Sequence, residues 1–311
     1  MALIPPFFLD CVVAIGIDDE GEREWVASGF LYGHVAGKVN DQPNRRRIGL
    51  YLVTNRHVIE GQERLILRFN PIGQIPAREY TADLSANKCT LHPDEDIDLA
   101  IVRIDLATLR QDGIKFSYFR SDEHVLDKAG LESKGITEGD HGYVLGFPMG
   151  LIGTERNFVI ARNGSIARIR DYLAGMDKQI LMDCLIFPGN SGGPAVTQPE
   201  AVAIEGTQTQ DAAYLFGIVS GYIPYQDVAI SKQTRRPRVI FEENSGLASV
   251  VPAQYLLDLV QSVIPTSEAT EELDDIHFKN NWSYDVRPRH WEETRFEQGP
   301  AEETQEDEKD E

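Results

Sequence analysis

The sequence predicts an all-β protein, a sandwich or barrel fold, and three observations carry that expectation. Apolar runs of four to eight residues recur along the first 220 positions, divided by Gly, Asp, Asn and Pro turn signals. These runs do not alternate with helical segments as βα units would. A clear helical period appears only at residues 252–263, where Tyr255, Leu256, Leu259, Val260 and Val263 recur at spacings of three and four. The chain has 311 residues, 41% of them apolar and 26% charged, enough to bury one large core or two smaller ones.

Taken in order, residues 12–17 form the first predicted strand, ended by a largely acidic turn at 18–24. Residues 25–32 follow as the next strand, and the polar stretch 35–47, with Arg45, Arg46 and Arg47, reads as a solvated hairpin. The strongly apolar run 48–54 leads directly into Asn55-Arg56-His57-Val58-Ile59. A strand is predicted at 64–69, and the segment 96–104 begins acidic and becomes apolar. Residues 105–140 are more polar, hold a short predicted helix at 122–131, and mark a boundary between two halves. The second half restarts at 142–148 and continues through strands near 157–161, 164–169, 179–184, 193–196 and 215–221. Pro252 suits a first helical position, and Pro265 stops the closing helix.

Charge and cysteines narrow the classes of function. The net charge of −20 is uneven: from Thr266 to Glu311 there are 16 acidic and 5 basic residues. That balance speaks against nucleic acid as a partner. It also predicts a largely disordered acidic tail over 266–311. Phe278, Trp282, Tyr284, Trp291 and Phe296 interrupt the tail, so residues 276–297 are candidates for docking on the body or on a partner. No run approaches the roughly 18 apolar residues of a membrane span, so no membrane partner is expected. The apolar start lacks the basic region of a secretion signal. Cys11, Cys89 and Cys184 are odd in number and far apart, which builds neither a disulfide framework nor a metal site and points to the cytosol.

The chemistry centres on Phe187-Pro188-Gly189-Asn190-Ser191-Gly192-Gly193-Pro194. Its turn can aim the N–H groups of Gly189 and Ser191 at a common point beside the Ser191 hydroxyl, which is what acyl transfer needs. On its own such a run is an ordinary Gly-rich hairpin. Upstream, His57 ends an apolar strand and can act as a general base near neutral pH. Asp98 opens Asp98-Leu99-Ala100-Ile101-Val102, where a carboxylate needs a partner such as an imidazole N–H. Asp96 is its rival, two residues earlier on the same face of an extended strand. No metal-binding, phosphate-loop or dinucleotide motif competes, and no cofactor is expected.

His57 within Thr-Asn-Arg-His-Val, Asp98 within Asp-Leu-Ala-Ile-Val and Ser191 within Gly-Asn-Ser-Gly-Gly-Pro resemble the active-site motifs of trypsin-like serine proteases, in the chymotrypsin-type order. Leu145-Gly146-Phe147-Pro148-Met149-Gly150, Asn163-Gly164-Ser165-Ile166-Ala167 and Gly217-Ile218-Val219-Ser220-Gly221 are similar to second-barrel motifs of bacterial HtrA-type domains. The resemblance spans roughly residues 8–264, and the stretch after Pro265 is too short for the PDZ domain of HtrA proteins proper. It implies two six-stranded antiparallel β-barrels. Residues 1–120 would carry His57 and Asp98, and residues 121–265 would carry Ser191 and a closing helix. The family's aspartate is followed by an apolar and then a small residue, which favours Asp98 over Asp96. The implied activity is cleavage of protein or peptide substrates through an acyl-enzyme, with Gly189 and Ser191 as the oxyanion hole. The alternative is a catalytically silent protease fold used as a peptide-binding or scaffolding module. Asn190 replaces the aspartate of zymogen-type proteases, which speaks against activation by a cut N-terminus. Leu185 stands where trypsin has its specificity aspartate, implying apolar rather than basic P1 residues. Ser220, Gly221 and Tyr222 would pair with substrate backbone.

Overall fold

The computed structural model describes residues 4–19, 21–39, 42–84, 89–200, 205–263 and 272–274. The chain is mainly β, as the apolar pattern predicts. Strands β1 (Val12–Asp19), β2 (Glu22–Val39), β3 (Gln42–Thr54), β4 (Arg64–Phe69), β5 (Arg78–Asp83), β6 (Cys89–Leu91) and β7 (Ala100–Arg103) form one sheet in the order β5-β4-β1-β2-β3-β7-β6. The two-residue β8 (Phe119–Arg120) adds to β2 in parallel. Among the described residues this sheet is a half-barrel with free ends at β5 and β6, rather than a closed six-stranded ring. The second half does close. Strands β9 (His141–Gly146), β10 (Ile160–Arg168), β11 (Ile180–Asp183), β12 (Pro194–Thr197), β13 (Leu215–Ile230) and β14 (Pro237–Pro252) make a six-stranded antiparallel barrel.

Short helices α1 (Pro6–Leu9), α2 (Arg56–Ile59), α3 (Leu106–Gln111), α4 (Lys128–Ser133) and α5 (Arg170–Leu173) sit at the joints, and α6 (Ala253–Val263) closes the body. The helix predicted at 122–131 starts later because Asp127 caps it, its carboxylate accepting from the Gly130 N–H at 2.6 Å. Two predicted strands at 157–161 and 164–169 are the single strand β10. The largest difference lies past Gly221, where β13 continues to Ile230 and pairs with β14 as a long hairpin. Its outer part, from Ile223 onward, is exposed on both faces. Neither face therefore imposes the apolar–polar alternation by which a strand is read from sequence.

Each sheet encloses its own apolar cluster, and a third cluster joins them. The joining cluster brings Phe8 of α1, Phe30, Phe119, Leu145 and Phe147 together with Leu256, Leu259 and Val260 of α6. The helical period at 252–263 thus buries its stripe where the two sheets meet. Burial of one such large side chain is worth about 1.5–3 kcal/mol. A further strand, β15 (Glu272–Asp274), pairs antiparallel with Arg45–Arg47 of β3. Residues 276–297 lie outside the described residues. No helix among the described residues is long and apolar enough to cross a membrane.

Candidate active site

Ser191 sits in the connection from β11 to β12, directly after a turn closed by the Asn190 N–H donating to the Phe187 carbonyl at 3.0 Å. Pro188 and Gly189 occupy the two corners, and Gly189 takes a φ of +95°, which favours glycine. Gly192 is also fixed by its surroundings. Its φ is +82°, and a Cβ there would lie 2.2 Å from both the Ser28 carbonyl and Thr54 Oγ1. The first sheet therefore presses directly on the turn that carries Ser191. Among the described residues, the Gly189 and Ser191 N–H groups donate to no other protein group. Asn190 is fully buried, its side-chain carbonyl accepting from the Phe187 N–H at 3.0 Å, so it braces its own turn.

His57 belongs to α2, the short turn of helix that follows β3, and its side chain is half exposed. Asp98 precedes β7, which pairs with β3 in register from Tyr51↔Arg103 to Thr54↔Ala100. That register places the carboxylate beneath the imidazole. Asp98 Oδ2 lies 2.7 Å from His57 Nδ1, and Oδ1 accepts from the His57 N–H at 3.1 Å. Ser220, from the other sheet, donates its hydroxyl to Oδ2 at 2.5 Å. Burial by itself would raise the Asp98 carboxyl, but hydrogen bonds from His57 and Ser220 outweigh it and hold the group below its usual range.

Asp96 goes elsewhere. Residues 94–97 form a turn rather than extended strand, so Asp96 and Asp98 do not share a strand face. Asp96 Oδ2 and Asp94 Oδ2 each sit 2.8 Å from Lys178 Nζ, which ties the Asp98 loop to the second barrel. Sequence reading also missed residues that support the pair. The Asn55 side chain donates to the Asp98 carbonyl at 2.8 Å, and the Thr54 hydroxyl to the Ser28 carbonyl at 3.0 Å. Ser220 was visible only as part of a strand. Its contact with Asp98 spans 122 positions, so no local signal could have found it.

In this state the Ser191 hydroxyl donates to the Ser220 carbonyl at 3.1 Å, and no hydrogen bond joins it to His57 among the described residues. Strand β13 pairs with β12 only as far as Ile218 and with β14 on its other side. Past Val219, which still exchanges backbone hydrogen bonds with Gly192 and Gly193, the side of Ser220–Tyr222 turned away from β14 has no strand partner among the described residues, and a Cβ on Gly221 would meet nothing within 4 Å. The Tyr222 hydroxyl donates to Glu242 at 3.0 Å, which holds the ring toward β14. Leu185 is 43% exposed, so no closed pocket floor surrounds it. Among the described residues, no group of three or more His, Cys, Asp or Glu side chains converges as metal ligands would.

A sequence profile of the trypsin-like peptidase domain matches residues 27–204. A probable periplasmic serine endoprotease, DegP-like, from Marinomonas sp. (strain MWYL1) is 26% identical over 175 residues. That match takes in 56% of this chain but only 28% of the relative's length. Among solved structures, the MamO protease domain from Magnetospirillum magneticum aligns with a TM-score of 0.44 at 16% identity, over 81% of this chain and 97% of its own. That likeness is too slight to bear on function. The periplasmic relative overturns the cytosolic location expected from the cysteines. The three thiols are free, and burial pushes those of Cys11 and Cys184 up, away from the reactive thiolate. An odd, unpaired set of cysteines is thus no argument for a reducing compartment. The profile covers more than half of the chain, and the DegP-like similarity agrees with the HtrA-type resemblance of the second-half motifs. The chain belongs to the trypsin-like peptidase domain family.

Proposed function

We propose that this chain is a serine endopeptidase that cleaves protein or peptide substrates through Ser191, His57 and Asp98. The observation that carries the reading is the 2.7 Å contact between His57 Nδ1 and Asp98 Oδ2, on a histidine whose outer face is open to solvent. A carboxylate on Nδ1 fixes the tautomer with Nε2 unprotonated, which makes the imidazole a base toward a nearby hydroxyl. Ser191 attacks the scissile carbonyl as His57 takes its proton, and the Gly189 and Ser191 N–H groups receive the oxyanion. His57 then hands the proton to the leaving amine, and water releases the acyl group by the same route in reverse.

Substrate backbone adds to the open edge at Ser220–Tyr222, where main-chain hydrogen bonds hold a peptide in extended form. With Leu185 in place of a carboxylate, apolar P1 side chains fit the site better than basic ones. The location proposed is periplasmic, by likeness to the DegP-like relative. A second reading, a silent peptide-binding module, draws on the Ser191 hydroxyl donating to Ser220 instead of His57. Catalytic hydrogen bonds are often long or diverted before substrate binds, so this geometry leaves the first reading ahead. A fluorophosphonate probe decides between the two. Labelling of the wild type that disappears in Ser191→Ala supports the peptidase, and no labelling of the wild type overturns it.

A further inference from the structure

Ser28 lies in the interior of β2, within Ala27-Ser28-Gly29-Phe30, and is fully buried. A buried hydroxyl requires partners, and this one has two. It donates to the Gly189 carbonyl at 2.6 Å and accepts from the Phe147 N–H at 2.9 Å. Its backbone N–H donates to the Ser191 carbonyl at 2.9 Å. One residue of the first sheet therefore holds both ends of the turn Gly189-Asn190-Ser191, and none of the catalytic steps above uses it.

We infer that Ser28 is a positioning residue that fixes the oxyanion turn through its hydroxyl, an inference that rests on the peptidase reading. Two peptide planes flank the Gly189 Cα, and each is held from outside the turn. The Met149 N–H donates to the Pro188 carbonyl at 2.6 Å, and in a planar trans peptide this turns the attached Gly189 N–H the opposite way. The Ser28 hydroxyl holds the next plane by its carbonyl. The Asn190 N–H of that same plane donates to the Phe187 carbonyl at 3.0 Å, so without the hydroxyl this one bond within the turn is left to restrain it, and glycine has no side chain to limit the rotation. Removing the hydroxyl leaves the Gly189 carbonyl and the Phe147 N–H without this buried partner. Rotation about the Gly189 bonds is the ready relief, and it carries the Gly189 N–H out of line with that of Ser191.

Gly146 gives an independent view of the same contact. A Cβ there would stand 2.6 Å from Ser28 Oγ, so any side chain at 146 displaces the hydroxyl without removing it.

The test is saturation kinetics of fluorophosphonate labelling on the full chain for wild type, Ser28→Ala and Gly146→Ala. Displacing an oxyanion donor costs less than deleting one, so the maximal labelling rate should fall roughly ten- to a hundredfold, against roughly 10²–10³ for outright loss. The half-saturating probe concentration should stay within twofold, since the encounter with the probe is unchanged. The rate of His57 carbethoxylation by diethyl pyrocarbonate should also stay unchanged, because the His57–Asp98 pair does not depend on the turn. A merely structural serine would lower the melting temperature and leave the maximal rate of the folded protein alone. If Ser28→Ala labels within threefold of wild type, or loses His57 reactivity as well, the inference falls while the peptidase reading stands. If Ser28→Ala does not fold, Gly146→Ala decides by the same thresholds. An unlabelled wild type removes both.

Discussion

Asp98→Asn tests the proposed charge arrangement most directly. The carboxylate faces three donors: the His57 N–H at 3.1 Å, His57 Nδ1 at 2.7 Å and the Ser220 hydroxyl at 2.5 Å. An asparagine supplies one acceptor oxygen and one NH₂ group in the same space. With its oxygen toward the His57 N–H, the NH₂ meets Nδ1, and the imidazole can answer only by moving its proton to Nε2. That tautomer has no lone pair for the Ser191 proton. Loss of the working tautomer in this type of triad costs roughly 10⁴ in turnover, or about 5.4 kcal/mol of transition-state stabilisation at about 1.36 kcal/mol per decade. Flipping the amide restores the Nδ1 contact but sets an NH₂ against the His57 N–H, so neither orientation satisfies all three donors. The assay is the fluorophosphonate labelling rate at pH 7.5, with Asp96→Asn as control. Asp96 is 77% exposed and bonded to Lys178, so its variant should label within twofold of wild type. An Asp98→Asn protein that labels within tenfold of wild type, or an Asp96→Asn protein that fails as badly, would refute the assignment.

Two further outcomes follow from packing and from buried charge. Gly192→Ala should abolish labelling and lower stability by about 2–5 kcal/mol. A φ of +82° costs a side-chain-bearing residue roughly 1–2 kcal/mol, and overlap with the Ser28 carbonyl and Thr54 Oγ1 adds roughly 1–3 more. Chemical denaturation that finds wild-type stability would count against the close approach of the two sheets. His124 is buried beside Phe7 and Phe8, and burial pushes it down to about 4. Its native pKa lies below its unfolded value, so the stabilisation is fully present above about pH 6.5 and is lost as pH falls toward about 4. The loss amounts to about 3 kcal/mol. His124→Asn should flatten the decline in unfolding free energy between pH 7 and pH 4.5, and an unchanged slope would show that other groups set it.

Much of the fold is legible along the chain. Strand β4 coincides with the predicted run at 64–69, and α6 begins one residue after its predicted start. These segments bury one face or a continuous run against a core, so their apolar pattern is strong. Strand β14 was invisible because half of it borders solvent on both sides, and β5 is mostly exposed for the same reason. The half-barrel could not be anticipated either, since closure depends on whether two edge strands meet.

The sequence by itself determined the β class and the closing helix, and it singled out the three residues proposed to carry acyl-transfer chemistry, because strand periods and turn residues are local properties. The motif resemblance already favours Asp98 over Asp96, and the tertiary structure supplies the physical reason: a turn at residues 94–97 sends one carboxylate to His57 and the other to Lys178. The tertiary structure alone brought Ser220 onto Asp98 and Ser28 onto Gly189, across 122 and 161 positions of chain. Contacts at such range depend on the register of strands in two different sheets, and register is a property of the packed sheets, not of any one segment.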